Sequence, residues 1–289
     1  MYLLLGSNGY VGTKFRQLLT ARTLHFRALS RTDCDIYDAS ALSKCIDASG
    51  ATFLINCAGY TGKPNVDACE LHKTECLMSN AVLPGIIDDA CQQSEIRWGH
   101  VSSGCIYTGS GERPNGFTES DTPNFSFRTD NCSFYSGTKA LGEEILQDSD
   151  RCYIWRLRVP FDANDSPRNY LSKLVRYQRL LEATNSLSHL DDFVNACLDC
   201  CVNELPLGVY NVTNTGYVST KEVVELIQPI VPAGHRFEFF ESEADFMLRA
   251  AKTPRSNCVL DNAKAINAGL KLPDVREAIL RSVHEWKKQ

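Results

Sequence analysis

The chain opens on the feature that most restricts its fold. Met1-Tyr-Leu-Leu-Leu, a short apolar run, passes straight into Gly6-Ser-Asn8-Gly9-Tyr10-Val11-Gly12 and then into Thr13-Lys-Phe-Arg-Gln-Leu-Leu19, where apolar residues recur at helical spacing. Strand, glycine turn and helix in that order are the first unit of an α/β fold, a doubly wound parallel sheet of the Rossmann type. Glycines let the backbone turn tightly and approach a pyrophosphate, which then sits against free N–H groups at the positive end of the helix. Gly6, Asn8, Gly9, Tyr10, Val11 and Gly12 are therefore expected at a dinucleotide, although the spacing is G-x-x-G-x-x-G rather than G-x-G-x-x-G.

The second strand reads Leu24 to Arg31. An acidic residue at its end would accept both ribose hydroxyls of NAD and repel a 2′-phosphate; Ser30 and Arg31 stand there instead, which predicts NADPH, the alternative being an ordinary surface arginine. Asp35 and Ile36 follow and are expected along the same cofactor. A helix over 40–48 and a third strand, Thr52–Asn56, lead to Cys57-Ala58-Gly59-Tyr60, whose small residues admit a cofactor to the backbone. Helices are expected from about Asn65 and over 80–92. A fourth strand over 97–102 then leads into Ser103-Gly104-Cys105-Ile-Tyr107, at a strand's C-terminal end, where open α/β sheets bind ligands.

Residues 108–131, rich in Gly, Pro and Asn, read as a long loop over the site, with Tyr135 opening the next helix and a fifth strand over 152–158. Pro167–Arg176 is a helix candidate and Gly208–Val212 a late sheet strand. This pattern divides the chain into a cofactor domain, 1–160 with a return near 185–215, and a smaller substrate lobe, 161–184 and 216–289.

Composition excludes several classes. A net charge of −5 with both signs dispersed, and no basic run, argues against a nucleic-acid partner. The opening apolar run is too short for a secretory core, and no stretch of about 18 apolar residues occurs, so no membrane partner and a cytoplasmic location are expected. Thirteen cysteines, odd in number and mixed into apolar segments, read as reduced packing residues. Cys197-Leu-Asp-Cys200-Cys201 contains C-x-x-C, but without a second pair at zinc spacing no metal is expected.

Chemistry enters with Tyr135-Ser-Gly-Thr-Lys139. A tyrosine and a lysine four residues apart share a helix face, so the ammonium can act on the phenol. A free phenol titrates near ~10, and a nearby cation is needed to make it a proton donor and acceptor at neutral pH.

The ordered set of short motifs resembles the extended short-chain dehydrogenase/reductases, and within them the nucleotide-sugar reductases that finish deoxyhexose synthesis, above all the bifunctional 3,5-epimerase/4-reductases of nucleotide-linked L-rhamnose and the dTDP-4-dehydrorhamnose reductases. The matching pieces are Gly59 to Asp67 with Cys69-Glu70 and His72-Lys73, Gly104-Cys-Ile, Gly116 to Glu119 with Asp121 to Phe125, Ser133 to Ala140, Pro167-Arg-Asn169 and Pro254-Arg-Ser-Asn257. The resemblance implies a reductase triad of Ser103, Tyr135 and Lys139, with Ser103 holding the substrate oxygen and hydride passing from NADPH to a C4 ketone. It also implies that Cys105 and Lys173 serve as the two acid/base groups of epimerisation, because a C4 ketone acidifies C3 and C5 and inversion needs one group to take a proton and another to return one on the opposite face. Arg255 would pair a substrate phosphate, and Thr61, Lys63, Ser103, Gly104 and Asn169 would line the sugar site.

The bland alternatives are packing for Cys105, a solvated helix face for Lys173 and a surface loop for Arg255. Reductase-only relatives carry Thr-Asp where this chain has Ser103-Gly104 and lack the cysteine, which favours the bifunctional reading. The implied partner is a UDP- or dTDP-4-keto-6-deoxyhexose, and a homodimer is the family-level expectation. A reductase without epimerase action, and a non-enzymatic NADPH-binding regulator, are the rival readings; such regulators often lose the tyrosine or the lysine, and this chain keeps both.

Overall fold

A computed structural model describes residues 1–30, 32–111 and 113–287. Arg31, expected at the cofactor, lies outside the described residues. Five successive strands, β1 (Tyr2–Leu5), β2 (Phe26–Leu29), β3 (Phe53–Asn56), β4 (Arg97–Ser103) and β5 (Cys152–Leu157), join a late strand, Gly208–Asn211, in one six-stranded sheet. Its order is β2-β1-β3-β4-β5 followed by Gly208–Asn211, and every pairing is parallel. Parallel strands need crossovers, which α1 (Tyr10–Ala21), α2 (Ala39–Ser49) and later helices supply. Strand order reverses between β1 and β3, so the crevice beyond their C-terminal ends is the binding position of such a sheet.

Two apolar cores flank this sheet. One gathers Phe15, Leu19, Tyr153, Trp155, Phe193 and Tyr210, and the other Leu3, Leu42, Ile87, Trp98 and Ile154. A third core, with Phe161, Leu171, Leu187, Val223 and Ile279, holds the second lobe together. Ala265, Leu270 and Leu272, from the segment assigned to that lobe, pack instead into the first sheet core. Among the described residues no helix is long and apolar enough to cross a membrane.

The glycine loop is built as its spacing requires. Gly6 has φ +71°, and a Cβ there would stand 2.5 Å from the backbone of Cys57 and Ala58, so the loops after β1 and β3 meet at bare backbone. A Cβ on Gly12 would lie 2.2 Å from the Gly6 carbonyl oxygen. Gly12→Ala must therefore push the turn open, at a cost of about 1–3 kcal/mol, and is expected to lower Tm and weaken dinucleotide binding together. Titration of the variant with NADPH, followed by nicotinamide fluorescence, checks this; unchanged affinity would remove the loop from the cofactor site.

Four elements depart from expectation. β2 starts at Phe26 rather than Leu24, because Thr23 takes φ 55° and the Leu24 N–H closes back on the Leu19 carbonyl, ending α1 in a left-handed cap. The helix expected from Asn65 is a 3₁₀ turn, Val66–Glu70, and the one expected from Asn80 begins earlier. There α3 (Lys73–Leu77) runs through a π turn, Met78–Val82, into α4 (Leu83–Gln93). Pro84 explains the bulge: it has no N–H to give the Asn80 carbonyl, and its ring would collide with that carbonyl in a regular helix. Gly142 of α5 (Phe134–Ile145) fits against the displaced carbonyl, where a Cβ would come within 2.2 Å. Finally, the helix expected from Pro167 is α6 (Tyr170–Arg176), which Asn169 caps by accepting from the Leu171 N–H.

Candidate active site

Ser103 ends β4 and starts a 3₁₀ turn, Gly104–Ile106, its hydroxyl accepting from the Cys105 N–H at 3.2 Å. Across from it α5 is started by Ser133, which accepts from Ser136 N, so that Tyr135 lies in the first turn. Tyr135 packs against the cluster that contains Cys105, Ile106 and Tyr107, and Ser103 and Cys105 are among the groups that act on its phenol. Burial pushes the phenol well above its usual range, Cys105 and Cys69 add to that, and the Ser103 hydrogen bond opposes it. Cys105 is 5% exposed. Burial raises its thiol as well, while Ser103, Arg158 and Lys139 pull it down. Ser103, Cys105 and Tyr135 thus converge on one point.

Lys139 sits behind them, buried, with Nζ donating to the Val101 carbonyl at 3.1 Å and lying 3.3 Å from His100 Nε2. Burial holds its ammonium below the usual lysine range. Both of these partners lie on β4, and neither is the Tyr135 phenol. Below this layer Glu143 accepts from Ser102 and pairs with Arg156 through three N–H contacts of 2.7–3.2 Å, both side chains buried. Glu143→Gln leaves the Arg156 charge uncompensated and is expected to cost ~3–5 kcal/mol of stability, read as a lower urea midpoint.

The residues expected at the cofactor come from the two loops. Gly9 caps α1, whose first turn carries no acidic residue. Asn8 is exposed and accepts from Arg16, and Val11 packs on the sheet core. Tyr10 donates to Asp162 at 3.1 Å; burial first, and then Asp162, push its phenol far up. Lys14 lies buried between Asp162 and Asp191, 2.9 Å from each. Asn80, carried on the π turn, accepts from Tyr60 N at 2.9 Å and donates to Tyr60 O at 2.8 Å. That clamp fixes the segment Cys57, Ala58, Gly59 and Tyr60, and the sequence reading did not single it out. Asp35 accepts from Tyr37 N and Ile36 packs on the second core.

Ser30 ends up beside an acid that the reading of β2 missed. Its N–H and hydroxyl both donate to the Asp33 carboxylate at 2.6 Å, and these bonds hold Asp33 below the usual carboxylate range. Asp33→Asn is expected to tighten NADPH relative to NADH, because a 2′-phosphate near Ser30 meets that negative charge; paired Kd measurements with the two cofactors check it.

The sugar-side residues divide. Thr61 and Lys63 are exposed at the cleft edge, and Gly104 is packed against Leu260. Asn169, expected at substrate, is fully buried: besides capping α6 it donates to Asp162 O, Asp162 Oδ1 and Asn164 O. Its neighbour Arg168 takes the outward position instead, donating to Thr61 Oγ1 at 2.8 Å and Gly62 O at 2.9 Å. Arg255 forks the Asp67 carboxylate at 2.7 and 2.9 Å, so a phosphate there must compete with an internal partner. Lys173 is half-buried on α6, and burial, then Arg168 and Arg255, lower its ammonium. Lys173, Arg168 and Arg255 therefore form one cationic edge. The turn Val66–Glu70 links it to the thiol, since Asp67 takes Arg255 while Cys69 neighbours Cys105.

All thirteen cysteines are free thiols, and Cys197 and Cys200 are buried on α7 (Leu190–Val202) in the first sheet core.

A family profile described as the RmlD substrate binding domain matches residues 1–288. The chain belongs to this family. A curated relative from Arabidopsis thaliana, named bifunctional dTDP-4-dehydrorhamnose 3,5-epimerase/dTDP-4-dehydrorhamnose reductase, is 30% identical over all of this chain and 94% of its own length. Three longer Arabidopsis relatives are matched over only 41–42% of their length. Among solved structures, the L780 UDP-rhamnose synthase of Acanthamoeba polyphaga mimivirus superposes with a TM-score of 0.88, at 26% identity and 98% coverage of both chains. A Bacillus anthracis dTDP-4-dehydrorhamnose reductase in complex with NADP shares the fold, with a TM-score of 0.80, 20% identity and 98% coverage of each chain.

Proposed function

We propose that this RmlD-family chain is an NADPH-dependent nucleotide-4-keto-6-deoxyhexose 3,5-epimerase/4-reductase that forms a nucleotide-linked deoxysugar such as L-rhamnose. The observation that carries the reading is the convergence of Cys105 on Ser103 and Tyr135: a thiol at the point where a reductase holds its ketone. The cradle of Gly6, Gly9 and Gly12, closed to any Cβ at Gly6 and Gly12, fits a dinucleotide pyrophosphate against the start of α1. NADPH, when bound, supplies the hydride for C4. The names of the bifunctional Arabidopsis relative and of the mimiviral synthase support the epimerase half, and the Bacillus anthracis complex supports NADP as the cofactor.

In this reading Ser103 and Tyr135 donate to the C4 oxygen, which carries negative charge both in the enolate of epimerisation and in the alkoxide of reduction. Cys105 and Lys173 have environments that separate their roles. Burial raises the Cys105 thiol, which favours it as the donor, whereas burial and then Arg168 and Arg255 lower the Lys173 ammonium, which favours it as the base. The Tyr135 phenol, held protonated, gives its proton to C4–O⁻. The nucleotide, UDP or dTDP, is the part of the substrate assigned on the relatives' names alone. A test without cofactor isolates the epimerase half. With a UDP- or dTDP-4-keto-6-deoxyglucose in D2O, wild type is expected to place deuterium at C3 and C5, and Lys173→Gln to lose at least one of the two; no exchange in wild type would leave a reductase alone.

A further inference from the structure

We propose that His100 is a positioning residue for Lys139: Asn56 holds it as the Nε2–H tautomer, and in that form it offers a donor to the Lys139 amine and eases release of the Lys139 proton during turnover. The inference rests on the reductase reading above, but its geometry is separate from the cofactor and sugar sites.

A count of the hydrogens between Asn56, His100 and Lys139 fixes the tautomer. The Ala58 N–H donates to Asn56 Oδ1 at 2.9 Å, so the Asn56 amide can only be oriented with Nδ2 toward His100 Nδ1, 3.1 Å away. An N–H on Asn56 requires a lone pair on His100 Nδ1. A neutral ring then carries its hydrogen on Nε2, and an imidazolium would set two donors face to face. Both Asn56 and His100 are essentially sealed from solvent, at 0% and 1% exposure, so no water relieves that conflict. Burial, and then the Lys139 charge, hold His100 well below its usual range, in agreement with the neutral ring.

Lys139 Nζ lies 3.3 Å from that Nε2. An ammonium there meets an N–H, while an amine can accept from it. Lys139 is thus given one good acceptor, the Val101 carbonyl, and one donor. The groups facing the pair are Cys105 from the turn after β4, Cys76 from α3, Glu143 from α5, which is engaged by Arg156, and the Trp98 ring on β4.

The consequence concerns the second half of reduction. Tyr135 loses its proton to the C4 alkoxide and becomes phenolate; the Lys139 ammonium, whose hydrogen bonds go to β4 and not to the phenol, restores it by passing a proton through an intervening water; the resulting amine accepts from His100 Nε2–H until solvent returns a proton to it. One proton enters per ketone reduced, and His100 neither gains nor loses one.

The test reads the ring and the lysine directly. In ¹⁵N-histidine-labelled protein, His100 is expected to show a pyridine-type Nδ1 and a pyrrole-type Nε2, and the ¹³Cε resonance of Lys139 gives its titration. His100→Phe is expected to raise that titration by about one pH unit, because the amine loses its donor. Asn56→Asp, which keeps the acceptor for Ala58 N–H, is expected to move the ring hydrogen to Nδ1 and to raise Lys139 as well, so the proposal stays open to test even where the phenylalanine variant folds poorly. In a working reductase the alkaline limb of kcat should move up with the lysine, which a merely structural histidine would not cause. A wild-type ring protonated on Nδ1, or a Lys139 titration unmoved in both variants, overturns the proposal. These readings need no substrate, so failure to oxidise NADPH with any sugar would count against the proposed function and not against the tautomer.

Discussion

Tyr135→Phe is expected to lower ketone reduction by ~10²–10⁴-fold, the usual worth of a positioned proton donor, with NADPH affinity nearly unchanged. The substitution keeps the ring at the start of α5 and removes only the hydroxyl on which Ser103 and Cys105 act. Burial has pushed that phenol well above its usual range, so it is protonated throughout the neutral region and is poised as an acid in the reducing direction. The account therefore expects no loss of Tyr135 function between pH 6 and 8, and it places the alkaline limb on Lys139, whose ammonium burial holds below the lysine range. Single-turnover oxidation of NADPH, with cofactor Kd measured separately, makes the distinction. A variant that loses cofactor binding but keeps its chemical rate would move Tyr135 out of the proton-donor role.

The second large effect is a separation of activities. Cys105→Ser should reduce a 4-keto sugar already inverted at C3 and C5 within a few-fold of wild type, yet lose deuterium exchange at one of those carbons by two or more orders of magnitude. The reason lies in proton affinity: a buried thiol is a weak acid that can still give up its proton, whereas a buried serine hydroxyl cannot at accessible pH. Cys105 is tightly packed with Ile106, Tyr107, Phe117 and Leu260, and a serine of smaller volume fits the same space, so folding should be largely retained. Equal loss of both activities would mark Cys105 as packing whose removal disturbs Ser103.

Much of this site was legible in the sequence because it is local. The glycine turn, the Ser103 to Cys105 turn and the Tyr135 to Lys139 helix are each set by residues within one element and its cap. What escaped depends on contacts across elements. His100 is an inward residue of an apolar strand, and only the Asn56 amide on the neighbouring strand gives it a tautomer. Asn80 clamps Tyr60 because the helix bulges there, and Pro84, four residues on, was the available signal. Asn169 and Arg168 were exchanged by one position: a cap residue turns its side chain back onto the helix start, which leaves the preceding residue to face out. The Asp33 carboxylate folds back onto Ser30 through a short turn that strand periodicity does not reveal.

The most direct test of the whole account is one incubation. Purified protein is mixed with NADPH and either UDP- or dTDP-4-keto-6-deoxyglucose, with no separate epimerase, while the loss of the reduced-nicotinamide absorbance and the NMR spectrum of the sugar are followed together. The account predicts NADPH oxidation matched mole for mole by a product with inverted C3 and C5 and a reduced C4, the L-rhamnose configuration. NADPH oxidation that leaves C3 and C5 uninverted, or no oxidation with either sugar, would contradict it.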